Sequence, residues 1–296
     1  MNINISNLGI SLVSFVSMLA LLIALAVMPE LACAEQTLFE QNGFKLNGSL
    51  DLAAGTYSVN NANFGAGTST GEQKANWSEA YLKPVLNASY STNFGELIAG
   101  LSYVASATYD DGDLAEFTNG DSDGFESEQL FFGLSTDKLA SVGIDNFELS
   151  VGEQEFAIGD GFLIMDGEFD SSYGAYWLNP HLSFKNTVIA KGDIGAVHTD
   201  LFYLLAGEDS GDTELYGLNL EYRSEKLGTV GASYLQVSDV DLNSDYALRD
   251  GMSVYSVRAQ GTPFAAAGQE NLFLAFEYVH QAGGDVEDID ADGWYL

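Results

Sequence analysis

Asp288, Asp290, Asp292 and Gly293 stand at the spacing of the first half of a calcium-binding loop, with oxygen ligands at alternate positions and a glycine for the sharp turn. Asn119, Asp121, Asp123 and Gly124 repeat that beginning. Such a loop closes with a bidentate glutamate at its twelfth position. That position is Leu130 in one series and falls past Leu296 in the other. Asp121, Asp123, Asp288, Asp290 and Asp292 therefore support no more than loose binding of calcium or magnesium to acidic loops, and no other cofactor is expected.

A second arrangement is His198-Thr199-Asp200, which sets an imidazole and a carboxylate on one face of an extended segment, as a general base requires. No nucleophile goes with it. The G-x-S-x-G spacings at 67–71 and 120–124 lie within long loops and make no strand-to-helix elbow, and neither His181 nor His280 is matched to a serine that stands out. The pair reads as polar residues near a strand end, and the chain is not expected to be an enzyme.

A third set is spread along the chain. Lys45, Lys83, Lys185 and Arg258, with Asp51, Glu148, Glu221 and Glu277, fall on the polar side of segments whose other side is apolar. Opposed rows of such charges select solutes when they line a pore. Paired across neighbouring strands, they instead neutralise one another and keep the lumen wet. Both readings stand at this stage.

The elements that must position these charges follow from composition and period. Charged residues are only 18% of the 296, glycine (32) far outnumbers proline (4), and tyrosine (15) and phenylalanine (18) dominate the aromatics. That mixture favours strands and tight turns over helices. In residues 44–52 every even position except Gly48 is a large hydrophobe and every odd one is polar. Period two over that length is a strand with one oily and one wet face. The alternation returns near 79–90, 97–109, 128–136, 147–156, 183–190, 197–205, 216–222, 229–237, 252–260 and 272–278. This predicts about eleven strands, many near the ~9 to 11 residues that a tilted strand needs to cross a bilayer. Trp294-Tyr295-Leu296 opens a twelfth.

Short turns at 91–95, 191–194 and 223–228 alternate with longer acidic loops near 60–76, 109–127, 157–181, 206–213, 238–251 and 281–292. A sandwich has no reason to gather its long loops at one end, whereas a transmembrane barrel does. Lys138, Lys191, Arg223 and Lys226 sit at the short turns, and the acids crowd the long loops. The expected fold is thus all-β, an antiparallel transmembrane β-barrel that starts on its short-turn side. An odd, unclosed strand count leaves backbone edges unpaired in lipid, so the chain is expected to be part of a larger barrel of about 16 to 18 strands.

Residues 8–28 form the only long apolar run, followed by Ala32-Cys33-Ala34, an A-x-A cleavage pattern. Residues 1–34 are read as a signal peptide and 35–296 as the barrel domain. Removal of Cys33 leaves the mature part without cysteine, hence without disulfide or thiol chemistry. The formal charge of −33 excludes nucleic acid as a partner.

The stretch LSVGEQEFAIGDGFLIMDGEFDSSYGAYWLN (149–179) resembles the strand-loop region of the alginate-export and porin-like outer-membrane barrels, where a G-R-Q strand runs into a Y-G-D-G-type loop. Gly152-Glu153-Gln154 stands at the first motif and Ile158-Gly159-Asp160-Gly161 at the second. The resemblance implies a barrel of about eighteen strands. Family members that pass anionic polysaccharide have an arginine-rich lumen, and Glu153 stands here in place of the motif's arginine.

The expected function is passive diffusion of small hydrophilic solutes through an outer-membrane pore lined by the eight charges above. Phe162, Phe169, Tyr173, Tyr176 and Trp177 make the 157–181 loop too apolar to wave in water, and an inward fold would make it a constriction or a surface on which sugars stack. Export of an anionic polysaccharide and a structural or adhesive barrel without transport are the alternatives. Expected partners are outer-membrane lipids and small solutes or oligosaccharides.

Overall fold

The computed structural model describes residues 35–61, 73–114, 117–118, 120–167, 173–224, 228–262 and 272–296. The apolar run with Ala32-Cys33-Ala34, and also Asn119, Lys226 and Phe169, lie outside the described residues.

Among the described residues thirteen strands form one sheet in sequence order, each antiparallel to the next. They are β1 (Gln36–Gln41), β2 (Phe44–Asn60), β3 (Lys74–Thr92), β4 (Gly95–Asp110), β5 (Asp123–Thr136), β6 (Asn146–Glu155), β7 (Ser183–Ile194), β8 (Val197–Leu205), β9 (Glu214–Ser224), β10 (Gly228–Asp239), β11 (Ser253–Gly261), β12 (Leu274–Gly283) and β13 (Ile289–Tyr295). All eleven expected strands are present, and the expected twelfth is β13. Among the described residues no pairing joins β1 to β13, so the sheet is not closed.

Three features differ from expectation. β1 has too few residues for its alternation to stand out. It lies along only the first five residues of the seventeen in β2, from Gln36 opposite Gly48 to Gln41 opposite Phe44, so the first described strand runs into the short-turn end rather than out from it. The connection between β11 and β12 (262–273) is long although it leaves from the short-turn end, which breaks the alternation of loop lengths. Conversely, the last outer loop is only residues 284–288, because β13 begins at Ile289 and takes in Asp290 and Asp292.

The two faces are sorted oppositely to those of a water-soluble sheet. In β4, Leu97, Tyr103 and Tyr109 are exposed while Ser102, Ser106 and Thr108 are buried. On β5, Phe125, Leu130 and Phe132 are exposed, the last at 68%. The same outward rank continues through Leu201, Leu220, Tyr222, Val230, Val257, Phe276 and Trp294. On β2 the outward residues are apolar from Leu46 to Ala54, then turn polar at Thr56 and Ser58, whose hydroxyls face Ser78 and Asn76 across the pair. That apolar stretch is about 27 Å along the strand at ~3.4 Å per residue.

The concave face holds the buried charges: Glu79, Lys83, Glu128, Asp200, Glu221, Arg258 and Glu277. An apolar cluster also lies there, toward the long-loop end. It joins Phe202, Leu204, Leu235, Val237, Val254 and Val279 of the wall to Phe156, Ile158 and Ile164 from the connection between β6 and β7.

Candidate functional site: the charged concave face and its infolded loop

Strand register assembles the charges into a row. Running across the concave face, His198 pairs with Glu221, Glu221 with Gly231, Gly231 with Arg258, Arg258 with Glu277 and Glu277 with Tyr295. Arg258 lies over Gly231, where an added Cβ would stand 2.7 Å from its Cζ. The missing side chain lets the guanidinium reach β9, where its Nη2 donates to Glu221 at 2.7 Å. Its Nη1 donates to Ser233 Oγ at 2.8 Å, which in turn donates to Asn219 at 3.0 Å. Asn219 then donates to Asp200 at 2.7 Å, and Asp200 lies 3.0 Å from His198, whose other ring nitrogen meets Asp193 at 2.7 Å. Fixed dipoles and paired charges thus run from mid-wall to the short-turn end, and the imidazole beside Asp200 belongs to this chain of contacts.

A second polar centre lies on the other side. Register places Lys83 opposite Asp51, yet the lysine turns away from it. Its Nζ donates to Glu128 at 3.0 Å, to Glu155 at 2.8 Å and to the Pro180 carbonyl at 3.2 Å. Glu128 points inward because it is the extra residue of a bulge, where the pairing of β4 with β5 steps from Ser102–Gln129 to Tyr103–Ser127. Its carboxylate also accepts the backbone N–H groups of Leu182 and Ser183 at 2.9 and 3.2 Å.

The connection between β6 and β7, residues 156–182, reaches both centres through its described parts, 156–167 and 173–182, which lie against the concave face. Its later half is fixed to β3, β4 and β5. Leu178 N–H donates to Glu79 at 3.2 Å, Ala175 N–H donates to Thr108 Oγ1 at 2.9 Å, and Ser106 Oγ donates to the Tyr173 carbonyl at 2.7 Å. Ala175 is fully buried with φ of 58°, the left-handed region that disfavours a Cβ, and those bonds hold it there. The earlier half reaches the far wall. Ile158 and Ile164 enter the apolar cluster, Gly159 rests against Arg258, and Tyr295 on β13 donates to Asp160 at 2.7 Å. Phe162 packs on the same tyrosine ring, 4.9 Å between centroids. The Ile158-Gly159-Asp160-Gly161 stretch is therefore the part of the loop that meets the row of charges.

The eight charges singled out from sequence are not one ring. Arg258 and Glu221 are ion-paired, and Glu277 is beside them. Lys83 is paired with Glu128 and Glu155, partners that alternation alone did not single out. Asp51 accepts from Tyr81 at 3.0 Å. Glu148 lies 3.8 Å from Lys191, near the short-turn end. Lys45 borders a cavity of about 220 Å³ lined also by Asn47, Asn87 and Ser89. Lys185 stands between the inward residues Phe184 and Thr187, where the pairing of β6 with β7 slips, and reaches Asp212 of the β8–β9 loop at 3.6 Å.

Among the loop aromatics, Tyr176 and Trp177 form a cluster with Phe117, and Trp177 also meets Trp77, which stacks on Tyr57 at 5.0 Å. Burial pushes the Tyr176 phenol up, and the Asp113 charge adds to it. Tyr173 lies against the His181 ring. The inward packing, however, is done by Phe156, Ile158 and Ile164, while Phe162 and Trp177 are half exposed.

The calcium-like fragments are dispersed. Asp121 is in the β4–β5 loop, Asp123 begins β5, and Asp288 precedes β13. Asp292 faces away from the concave side, accepting from Tyr278 and meeting His280 at 3.0 Å. Among the described residues no three His, Cys, Asp or Glu side chains converge as a metal cage.

The residues missed by periodicity are Glu128, Glu79 and Tyr295. A signal for Glu128 is present in the sequence: outward hydrophobes are odd-numbered at Phe125 and even-numbered at Leu130, Phe132 and Leu134, a phase slip that marks a bulge.

No family model and no characterised protein sequence matches the chain. Among solved structures, a triple mutant of the Rh. blastica porin is similar with a TM-score of 0.38 and 14% identity, over 82% of this chain and 75% of that one.

Proposed function

We propose that the chain is an outer-membrane barrel protein whose concave face conducts small hydrophilic solutes by passive diffusion, with the 156–182 loop as the constriction. The observation that carries this reading is the inverted sorting of the sheet, in which a continuous rank of exposed Leu, Val, Phe and Tyr lies outside buried Glu, Lys, Asp and Arg. An apolar band of that size facing water drives aggregation, whereas lipid accepts it and a wet lumen accepts the charges. An N-terminal signal peptide, residues 1–34, fits export to that membrane.

The concave face carries more acid than base, Glu79, Glu128, Asp200, Glu221 and Glu277 against Lys83 and Arg258 among its buried side chains. That balance favours cations over anions. It disfavours the polyanion export associated with the family that the 149–179 stretch resembles, and Glu153 in place of the motif's arginine adds to this.

One observation favours a second reading, a plugged barrel that does not transport. Phe156, Ile158 and Ile164 fill part of the concave face with apolar side chains. Single-channel recording in planar bilayers under a salt gradient separates the two. Steps of conductance with a cation-directed reversal potential support the channel. Silence from a protein that is folded and inserted supports the plug, and anion preference revives polysaccharide export.

A further inference from the structure

Glu277 is 0% exposed, and neither of its carboxylate oxygens has a hydrogen-bond partner of ordinary geometry, the Ser256 hydroxyl lying within longer reach of it. The other two buried glutamates of the wall with almost no exposure, Glu79 and Glu128, accept hydrogen bonds from Trp77 and Leu178, and from Lys83 and Leu182. Around Glu277 the neighbours are orphaned as well: Ser256 Oγ and Arg258 Nε are buried without partners. Arg258 is directly opposite Glu277 on β11, and Ser256 is the next inward residue of that strand. The guanidinium ends are already turned to Glu221, Asn219 and Ser233.

The space is roofed by the loop. Gly159 lies so close to Arg258 that a Cβ would stand 2.8 Å from its Cδ. Asp160 is bonded to the Tyr295 hydroxyl, and Tyr295 is the cross-strand partner of Glu277. Two carboxylates, Asp160 and Glu277, are thus brought within electrostatic reach of each other, and Arg258, the cation beside Glu277, is already matched by Glu221. A carboxylate buried without a matched charge or a full set of hydrogen bonds is destabilising, so the site calls for a proton or a cation.

We propose that Glu277, Ser256 and Asp160 bind a hard divalent cation of the calcium type, which ties the tip of the loop to the wall. The donors are all oxygen, and two negative charges meet a double positive one. With only two carboxylates the affinity belongs to the weak range of calcium modules, Kd about 0.1 to 1 mM. This site is separate from the acidic loop fragments at 121–123 and 288–292, and its occupancy does not depend on whether the barrel conducts.

Calorimetric titration of calcium into the chelator-treated full chain, refolded in detergent micelles, tests it. One saturable site in that range is expected. It should weaken at least tenfold in Glu277→Gln and in Asp160→Asn and stay unchanged in Asp288→Asn, which alters an exposed loop. Thermal unfolding gives a second reading: millimolar calcium should raise the midpoint of the unaltered chain and not that of Glu277→Gln. Should Glu277→Gln fail to fold, Ser256→Ala replaces it, with a weaker site expected. Absence of saturable binding, or equal affinity in the Glu277 variant, overturns the proposal. So does a chain stabilised by Glu277→Gln with no response to calcium beforehand, which assigns a proton to that carboxyl.

Discussion

The ammonium of Lys83 and the carboxylate of Glu128 lie 3.0 Å apart with 7% and 1% of their side chains exposed, and both also bind backbone of the segment entering β7. The pair does not merely neutralise itself. Each partner spends a further hydrogen bond on the end of the 156–182 loop, so the pair and the path of the loop depend on each other.

Lys83→Met should therefore cost more than a surface charge would. It strands Glu128 beside Glu155, and removing one partner of a buried pair typically destabilises by about 3 to 5 kcal/mol. Glu128→Gln keeps an acceptor for Leu182 and Ser183 and should lose less. Midpoints of denaturant unfolding in micelles check the order, and a Lys83→Met midpoint equal to that of the unaltered chain would show that the lysine has no structural role. If the loop constricts the pore, Lys83→Met should also raise single-channel conductance.

Gly231 is required by Arg258 rather than by its own backbone. Gly231→Ala puts a Cβ 2.7 Å from the guanidinium carbon, which must then leave Glu221 or distort the wall. Overpacking of this kind costs about 1 to 3 kcal/mol. The same change should modestly strengthen cation preference, because Glu221 loses one of its two guanidinium partners and keeps Arg223 at 2.8 Å; a reversal potential that does not move would mean that Arg258 still holds it or that Arg223 suffices.

Tyr295→Phe removes only the hydroxyl that holds Asp160 at 2.7 Å and keeps the ring under Phe162. A net hydrogen bond of this type contributes about 1 to 3 kcal/mol. Global stability should fall little, while amide exchange of residues 158–162 should accelerate. Protection unchanged in those amides would place the anchor of the tip in the apolar cluster instead.

The strands were legible because the chain alternates faces with period two, and each expected segment coincides with a strand. What escaped has a local cause in each case. β1 is six residues long and carries no clear alternation. The acids of 288–292 read as a loop because acid-rich runs usually are, yet Asp290 and Asp292 continue β13 with their side chains on the outward side. The polar faces of the strands were also legible, but the partners on them were not. Lys83 passes over Asp51 for Glu128 because a bulge aims that glutamate inward, and a bulge changes the phase of a strand by a single residue. The course of a 27-residue connection is decided by contacts far away in sequence, Asp160 with Tyr295 and Leu178 with Glu79, which periodicity does not encode.

The membrane reading itself turns on Leu130, which is 62% exposed on the outward face in the middle of β5. On a surface facing water, Leu130→Arg would change stability by no more than about 0.5 kcal/mol, since it touches no cap, core or network. On a surface facing hydrocarbon the same arginine costs about 2 to 4 kcal/mol near the midplane and less toward the interfaces. Equilibrium unfolding in lipid vesicles distinguishes the two, and Thr56→Arg supplies the internal comparison, because Thr56 lies on the same outward side where β2 has turned polar. A large loss at Leu130 with a small one at Thr56 places the apolar band in lipid. Equal small losses would leave the exposed hydrophobes without that explanation, and the inverted sorting of the sheet would then require a protein partner covering the band.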